Sequence, residues 1–293
     1  MLRTKSWTPY LYIAPTVALL LITFGYPLVA IFDFSTRRIR GATGVFIGLE
    51  NYRLALKDPV FSLAVTHNAK LLLAVPILLA ISILLAVLLY ERLKGWQFYR
   101  ALLFFPYILA VPIIGVVFGN ILQLNGILNS MLRAVGLGVV ALDWIGDKDL
   151  AIWTIMAIAI WHNAGFGIVL FLARLQSLNE EIVDAAKVDG AGWWQRLWFV
   201  IIPQLRDVIE FYVVITVITM IAWVFSYIYV ITRGGPANST QILEYYIYTA
   251  AFRHQVLGIA CAVAVMLFLV TLVVIVPYFV LRREDEGEVG GLA

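Results

Sequence analysis

Six stretches of the chain are almost wholly apolar: 10–32, 67–90, 101–122, 150–174, 208–231 and 256–281. Each holds about 20 residues, which as a helix rising 1.5 Å per residue matches a bilayer's hydrocarbon core. The runs are continuous rather than alternating and too long for barrel strands. Lipid also offers no partner to an open strand edge, so helices are expected. The predicted fold class is all-α: one polytopic membrane domain over 1–283 with six transmembrane helices, and a disordered acidic, Gly-rich tail over 284–293. Pro15, Pro27, Pro76, Pro106 and Pro112 interrupt the runs; they predict kinks, with hinges as the alternative. Arg3 and Lys5 precede the first run, and no small-x-small cleavage site closes it. It reads as a retained span rather than a signal peptide.

Between the fourth and fifth runs the pattern changes. Asn179 can cap a helix beginning at Glu180 and Glu181, where the helix dipole favours anions. Gly190 can take the left-handed conformation that ends it. A second helix is expected over GWWQRLWFVII, with Trp193 over Leu197 and Trp194 over Trp198 at i,i+4, lying along the headgroup layer. Pro203 starts the next span. The unit predicted over 179–206 is a helix–turn–helix parallel to the membrane, with small residues Ala185, Ala186 and Gly190 at its surface. On these features alone it could be a docking element or an interfacial helix that anchors the fifth span.

Composition agrees with the pattern: 62% of residues are hydrophobic and 13% charged, whereas a soluble domain is about half apolar and a quarter charged. A net charge of +3 is too small to suggest nucleic acid. The one cysteine, Cys261, lies in an apolar run and reads as a small core residue. An even number of spans places both termini on one side. Lys and Arg then divide eleven against nine between the two faces, a slight bias toward cytoplasmic termini. The cluster Arg37-Arg38-Ile39-Arg40 falls on the opposite, external side.

The segment Asp184-Ala185-Ala186, then Gly190, then Val200, Ile202 and Pro203 resembles the EAA loop of permease subunits from bacterial ABC importers. In that pattern Glu-Ala-Ala is followed by three residues, Gly, nine residues, Ile, one residue and Leu-Pro. The spacing matches throughout, with Asp for Glu, Val for Ile and Ile for Leu. FIGLENYRLALKDPVF (46–61), IWHNAGFGIVLFLARLQSL (160–178) and TRGGPANSTQILEYYIYTAAF (232–252) are similar to segments of the carbohydrate-uptake branch. The resemblance implies a cytoplasmic-membrane permease moving a sugar, polyol or oligosaccharide by alternating access. It implies a coupling helix carrying Asp184, Ala185, Ala186, Lys187, Asp189 and Gly190, with Pro203 closing the motif. It also implies partners: a second homologous permease, usually a different one, two cytoplasmic ATPase subunits that use the ATP, and an external binding protein, all in membrane lipid.

This chain has no G-x-x-x-x-G-K-[ST]; Gly234 and Gly235 lead into Pro236. It is expected to bind no cofactor and to be no ATPase. His67, His162 and His254 have no zinc spacing, and no nucleophile-elbow signature is present. Sugars are bound by aromatic faces, amides and hydroxyls, which makes Asn120, Gln123, Trp161, His162, Asn163, Trp223, Ser226 and Tyr227 candidates for the substrate pathway. For each the alternative is helix–helix hydrogen bonding or the interfacial aromatic belt. The rival function is a solitary secondary transporter or channel. Such proteins carry ionisable groups mid-span, and here only His162 fits. Few cationic side chains lie in the spans, which favours a neutral solute.

Overall fold

The computed structural model describes residues 7–40, 43–92 and 94–290. Among them five helices are long and apolar enough to cross a membrane, and a bent pair makes a sixth span. The chain divides into two compact units, 1–62 with 246–270, and 63–245 with 271–293.

In the first unit α1 (Thr8–Leu20) passes through a π-helical turn at Leu21–Gly25 into α2 (Tyr26–Ser35). Pro27 explains the turn. It lacks an N–H and its ring crowds the carbonyl four residues back, at Thr23, so the helix widens there. The basic cluster, expected as loop, is a β-strand. Arg37–Arg40 (β1) pairs antiparallel with Thr43–Phe46 (β2), Arg37 opposite Phe46 and Arg40 opposite Thr43. Asp33 bonds the Arg37 guanidinium at 2.9 Å. α3 (Glu50–Lys57) supplies buried Asn51, whose amide donates to the carbonyls of Ser35 and Arg37, both at 2.8 Å. The hairpin is thereby tied to the end of the first span.

The second span begins at Pro59, earlier than the sequence pattern suggested. Asp58 accepts the Val60 N–H at 2.8 Å and caps α4 (Pro59–Leu71). A short break precedes α5 (Ala74–Tyr90), four residues upstream of Pro76 as the lost hydrogen bond requires. The third span is not one helix. α6 (Trp96–Ile108) and α7 (Val111–Ile121) meet at 98°. Pro112 cannot donate to Ile108, and Leu109 and Ala110 turn extended with ψ of 136° and 135°. α8 (Ile127–Ala134) leads to α9 (Ala151–Leu175), the fourth span.

α5 packs along α9 more extensively than any other helix pair, and α6 also lies on α9. Gly167 permits the approach: a Cβ there would run into the Ser82 hydroxyl of α5 and stand 2.5 Å from the Tyr212 ring. Tyr212, itself buried, shares a 3.1 Å hydrogen bond with Ser82.

After the bent segment, α13 (Arg206–Ala222) and α14 (Phe225–Ile231) form the fifth span. α15 (Leu243–Tyr248) lies in the connection to α16 (Leu257–Gly290). The last helix continues through 284–290, where a disordered tail was expected. These residues add to an existing helix and need no new nucleation step, so the acidic, Gly-containing composition does not stop it. Residues 291–293 lie outside the described residues.

Candidate functional site

The segment between spans four and five forms the predicted bend. α10 spans Glu180–Val188. The Asn179 side chain accepts the Glu181 N–H at 3.0 Å, satisfying one of the unpaired donors at the helix start. Gly190 has φ +81°. The Ala191 N–H reaches the Ala186 carbonyl at 2.9 Å and the Gly190 N–H that of Lys187 at 3.1 Å, a Schellman stop. The second half differs from the expected helix. α11 (Trp193–Arg196) gives way to a π-helical turn at Leu197–Ile201 and then α12 (Ile202–Gln204). Pro203 crowds the Phe199 carbonyl as Pro27 does that of Thr23. The wider turn ends the i,i+4 register just past α11, and the ring contact is Trp193 edge-on to Trp194, centroids 4.7 Å apart.

The segment is anchored from below by Val183, Leu197, Ile201 and Leu205, all buried. Asp184, Ala185, Lys187, Asp189, Gly190 and Pro203 stand exposed and Ala186 half-buried. Lys187 pairs with Asp184 at 2.7 Å. Both are open to solvent, so the pair adds little stability. A Cβ at Gly190 would meet nothing within 4 Å. The α10 surface is therefore small, charged at its edge and stiff in its backbone. Beside it a cleft of about 320 Å³ separates Asp184 and Lys187 from Glu91 and Arg92 at the end of α5. Arg196 stands in this cleft and pairs with Glu91 at 3.7 Å, a link the sequence pattern did not signal because the partners lie far apart in the chain.

The pathway candidates separate. His162, Asn163 and Tyr227 come together beside the break in span three. The Leu109 carbonyl can only accept, so His162 Nε2 carries the hydrogen and donates to it at 3.1 Å. In that tautomer Nδ1 accepts the Tyr227 hydroxyl hydrogen. Asn163 donates to the Ala159 carbonyl at 2.8 Å and to Tyr227 Oη at 3.4 Å. His162 and Tyr227 are buried. They hold the Leu109 carbonyl, which the extended backbone at Leu109 and Ala110 turns out of the helix. Asn120 is exposed and bonds back to Val116 on its own helix at 2.8 Å. Trp161 packs edge-on to Phe118 at 5.1 Å and lines an apolar groove of about 580 Å³ with Trp144 and Trp153. Gln123 and Trp223 are exposed and Ser226 half-buried. Neither Asn120 nor Trp161 joins the histidine cluster through a hydrogen bond recorded among the described residues.

A second polar cluster follows span five. His67 Nδ1 donates to the Gln241 carbonyl at 2.8 Å. Asn68 accepts the Leu243 N–H at 2.9 Å and donates to Glu244 Oε2 at 3.3 Å. Glu244 Oε1 is buried without a hydrogen-bond partner among the described residues. Burial pushes the Glu244 carboxyl up to about 7.

A multi-pass helical bundle with a capped, exposed helix between its fourth and fifth spans defines a membrane transport component. The chain belongs to the family described as binding-protein-dependent transport system inner membrane component, whose model matches residues 42–285. It is 29% identical to the probable ABC transporter permease protein YurN of Bacillus subtilis, over 93% of this chain and 94% of that one. It is 30% identical to the lactose transport system permease protein LacF of Rhizobium radiobacter, over 94% of each. Its fold matches a chain in the crystal structure of a bacterial alginate ABC transporter in complex with an alginate pentasaccharide-bound periplasmic protein. That match has TM-score 0.81 and 22% identity, and covers 93% of this chain and 92% of the other.

Proposed function

We propose that this subunit imports a neutral sugar, polyol or oligosaccharide, and that α10 is the handle by which ATPase subunits drive it. The observation that carries the reading is the exposed α10, closed at one end by Asn179 and at the other by the stop at Gly190. A stiff lever suits the task. Reversing an inward/outward equilibrium from 1:99 to 99:1 takes roughly 5.5 kcal/mol of differential binding, which a floppy loop would dissipate. Ala185, Ala186 and Gly190 let another backbone approach, while Asp184, Lys187 and Asp189 offer charges at the rim. Support for the solute class comes from the lactose permease among the relatives.

The assembly contains a second, different permease, two ATPase subunits that bind the ATP, and an external binding protein. This chain binds no nucleotide or metal, and its termini and α10 face the cytoplasm. The solute path passes Asn120, Gln123, Trp161, Asn163, Trp223 and Ser226, with His162 and Tyr227 holding the wall behind them.

The test is uptake by the reconstituted assembly with its binding protein, screened against a sugar panel. Gly190→Asp forces a side chain into a left-handed conformation on the docking face; Asp184→Lys reverses the rim charge. Both are expected to abolish uptake while the external protein still captures its solute. Uptake that survives both changes refutes the handle. Uptake by the subunit without any ATPase would favour a solitary transporter instead.

A further inference from the structure

We infer that Arg196 is a strut that joins the coupling segment to the end of span two, so that α10 and α5 move as one piece. The inference rests on the handle reading above and names how its motion enters the bundle. Glu91 is the C-cap of α5. A carboxylate there faces the negative end of the helix dipole, so the position demands a cation. Arg196 supplies it at 3.7 Å. With a second nitrogen, Nη1, the same guanidinium donates to the Ala191 carbonyl at 2.9 Å, directly after the Gly190 stop. Only 18% of the Arg196 side chain and 35% of the Glu91 side chain are exposed, so this pair is less screened than Lys187–Asp184 on the outer face. The Ala191 bond fixes the guanidinium on the coupling segment, and from there its charge holds Glu91 as an ion pair. Val183 and Ile201 also line the cleft, opposite Val87 of α5. Apolar contact resists separation but not sliding. The ion pair opposes that sliding, because carrying Arg196 away from Glu91 loses the attraction.

The experiment uses the assembled importer in nanodiscs, with the buried Cys261 replaced by serine and spin labels at the exposed positions 188 and 94. Distances are read by pulsed electron resonance without nucleotide and after trapping with ATP and vanadate. Wild type is expected to give one narrow distance, unchanged between the two states. Arg196→Gln and Glu91→Gln should each broaden it, and the double variant should broaden it no further than either single change. Arg206→Gln, which removes the exposed 2.9 Å pair with Glu210, should leave it narrow. The strut is refuted if wild-type distance shifts between states, if the single variants stay narrow, or if their effects add. A wild type that purifies without ATPase refutes the handle instead, and the nucleotide-free distances still decide the strut.

Discussion

Replacing Glu244 by glutamine tests the polar cluster after span five. The Glu244 carboxyl titrates near 7 in the folded chain against an ordinary value of 4.5. The first cause is desolvation, which disfavours the charged form. A raised acid pKa means the folded state holds its proton more tightly than the unfolded state. Stability is therefore complete below about 4.5, falls as pH rises through about 7, and is flat above. The full span of that change corresponds to about 3 kcal/mol; solvent at the part-exposed residue trims it. Glutamine removes the titration and can still accept from Asn68. The assay is hydrogen exchange in 232–248, corrected for intrinsic rates, with the Leu243 N–H as reporter because Asn68 holds it at 2.9 Å. The variant should be better protected than wild type by a few-fold at pH 5 and by roughly a hundredfold at pH 8. A protection ratio that does not change between the two pH values would refute the burial argument.

Gly167→Ala drives a methyl against Ser82 and into the Tyr212 ring at 2.5 Å, where the helices are already packed. It should cost about 1–3 kcal/mol in a denaturing-detergent titration; an unchanged midpoint contradicts the close approach of α5 and α9. His162→Phe keeps an aromatic ring but removes the hydrogen bonds to Leu109 and Tyr227. The expected loss is about 1–3 kcal/mol from two interhelical bonds, seen as a lower thermal midpoint, whereas a wild-type midpoint would mean that the cluster does not hold the break.

The spans and the bend were legible because each rests on a local rule. Apolar length defined the helices, and Asn179 and Gly190 marked the ends of α10 by their own chemistry. Proline was legible as a disturbance but not in its outcome. Pro27 and Pro203 widen a helix by one π-helical turn, Pro76 interrupts it briefly, and Pro112 lies beside a 98° bend. The missing N–H is the same in each case. At span three the chain turns extended at Leu109 and Ala110, and the donor to the Leu109 carbonyl is His162, 53 positions away. The basic cluster departs from the expected loop for a similar reason. Its strand exists through pairing with Thr43–Phe46 and through Asn51 reaching back to Arg37, neither of which Arg37-Arg38-Ile39-Arg40 announces by itself.

The division between legible and illegible residues follows the division of labour proposed for the site. A docking surface has to be presented, so Asp184 to Gly190 are short-range, capped and exposed, and their pattern stands in consecutive residues. Transmission has to cross between elements. Arg196 lies on α11 and Glu91 at the end of α5, and spacing along the chain cannot relate them. The same holds for Asn68 with Glu244 and for His162 with Tyr227. If force passes from α10 into the bundle, it must pass through pairs of this kind. Breaking Glu91–Arg196 should therefore leave the ATPase bound and hydrolysing while the solute stays outside. Breaking the Gly190 stop should instead weaken the grip itself. Measuring ATPase retention beside uptake separates the two: equal loss of retention in Glu91→Gln and Gly190→Asp would mean that the ion pair shapes the docking face and carries no force.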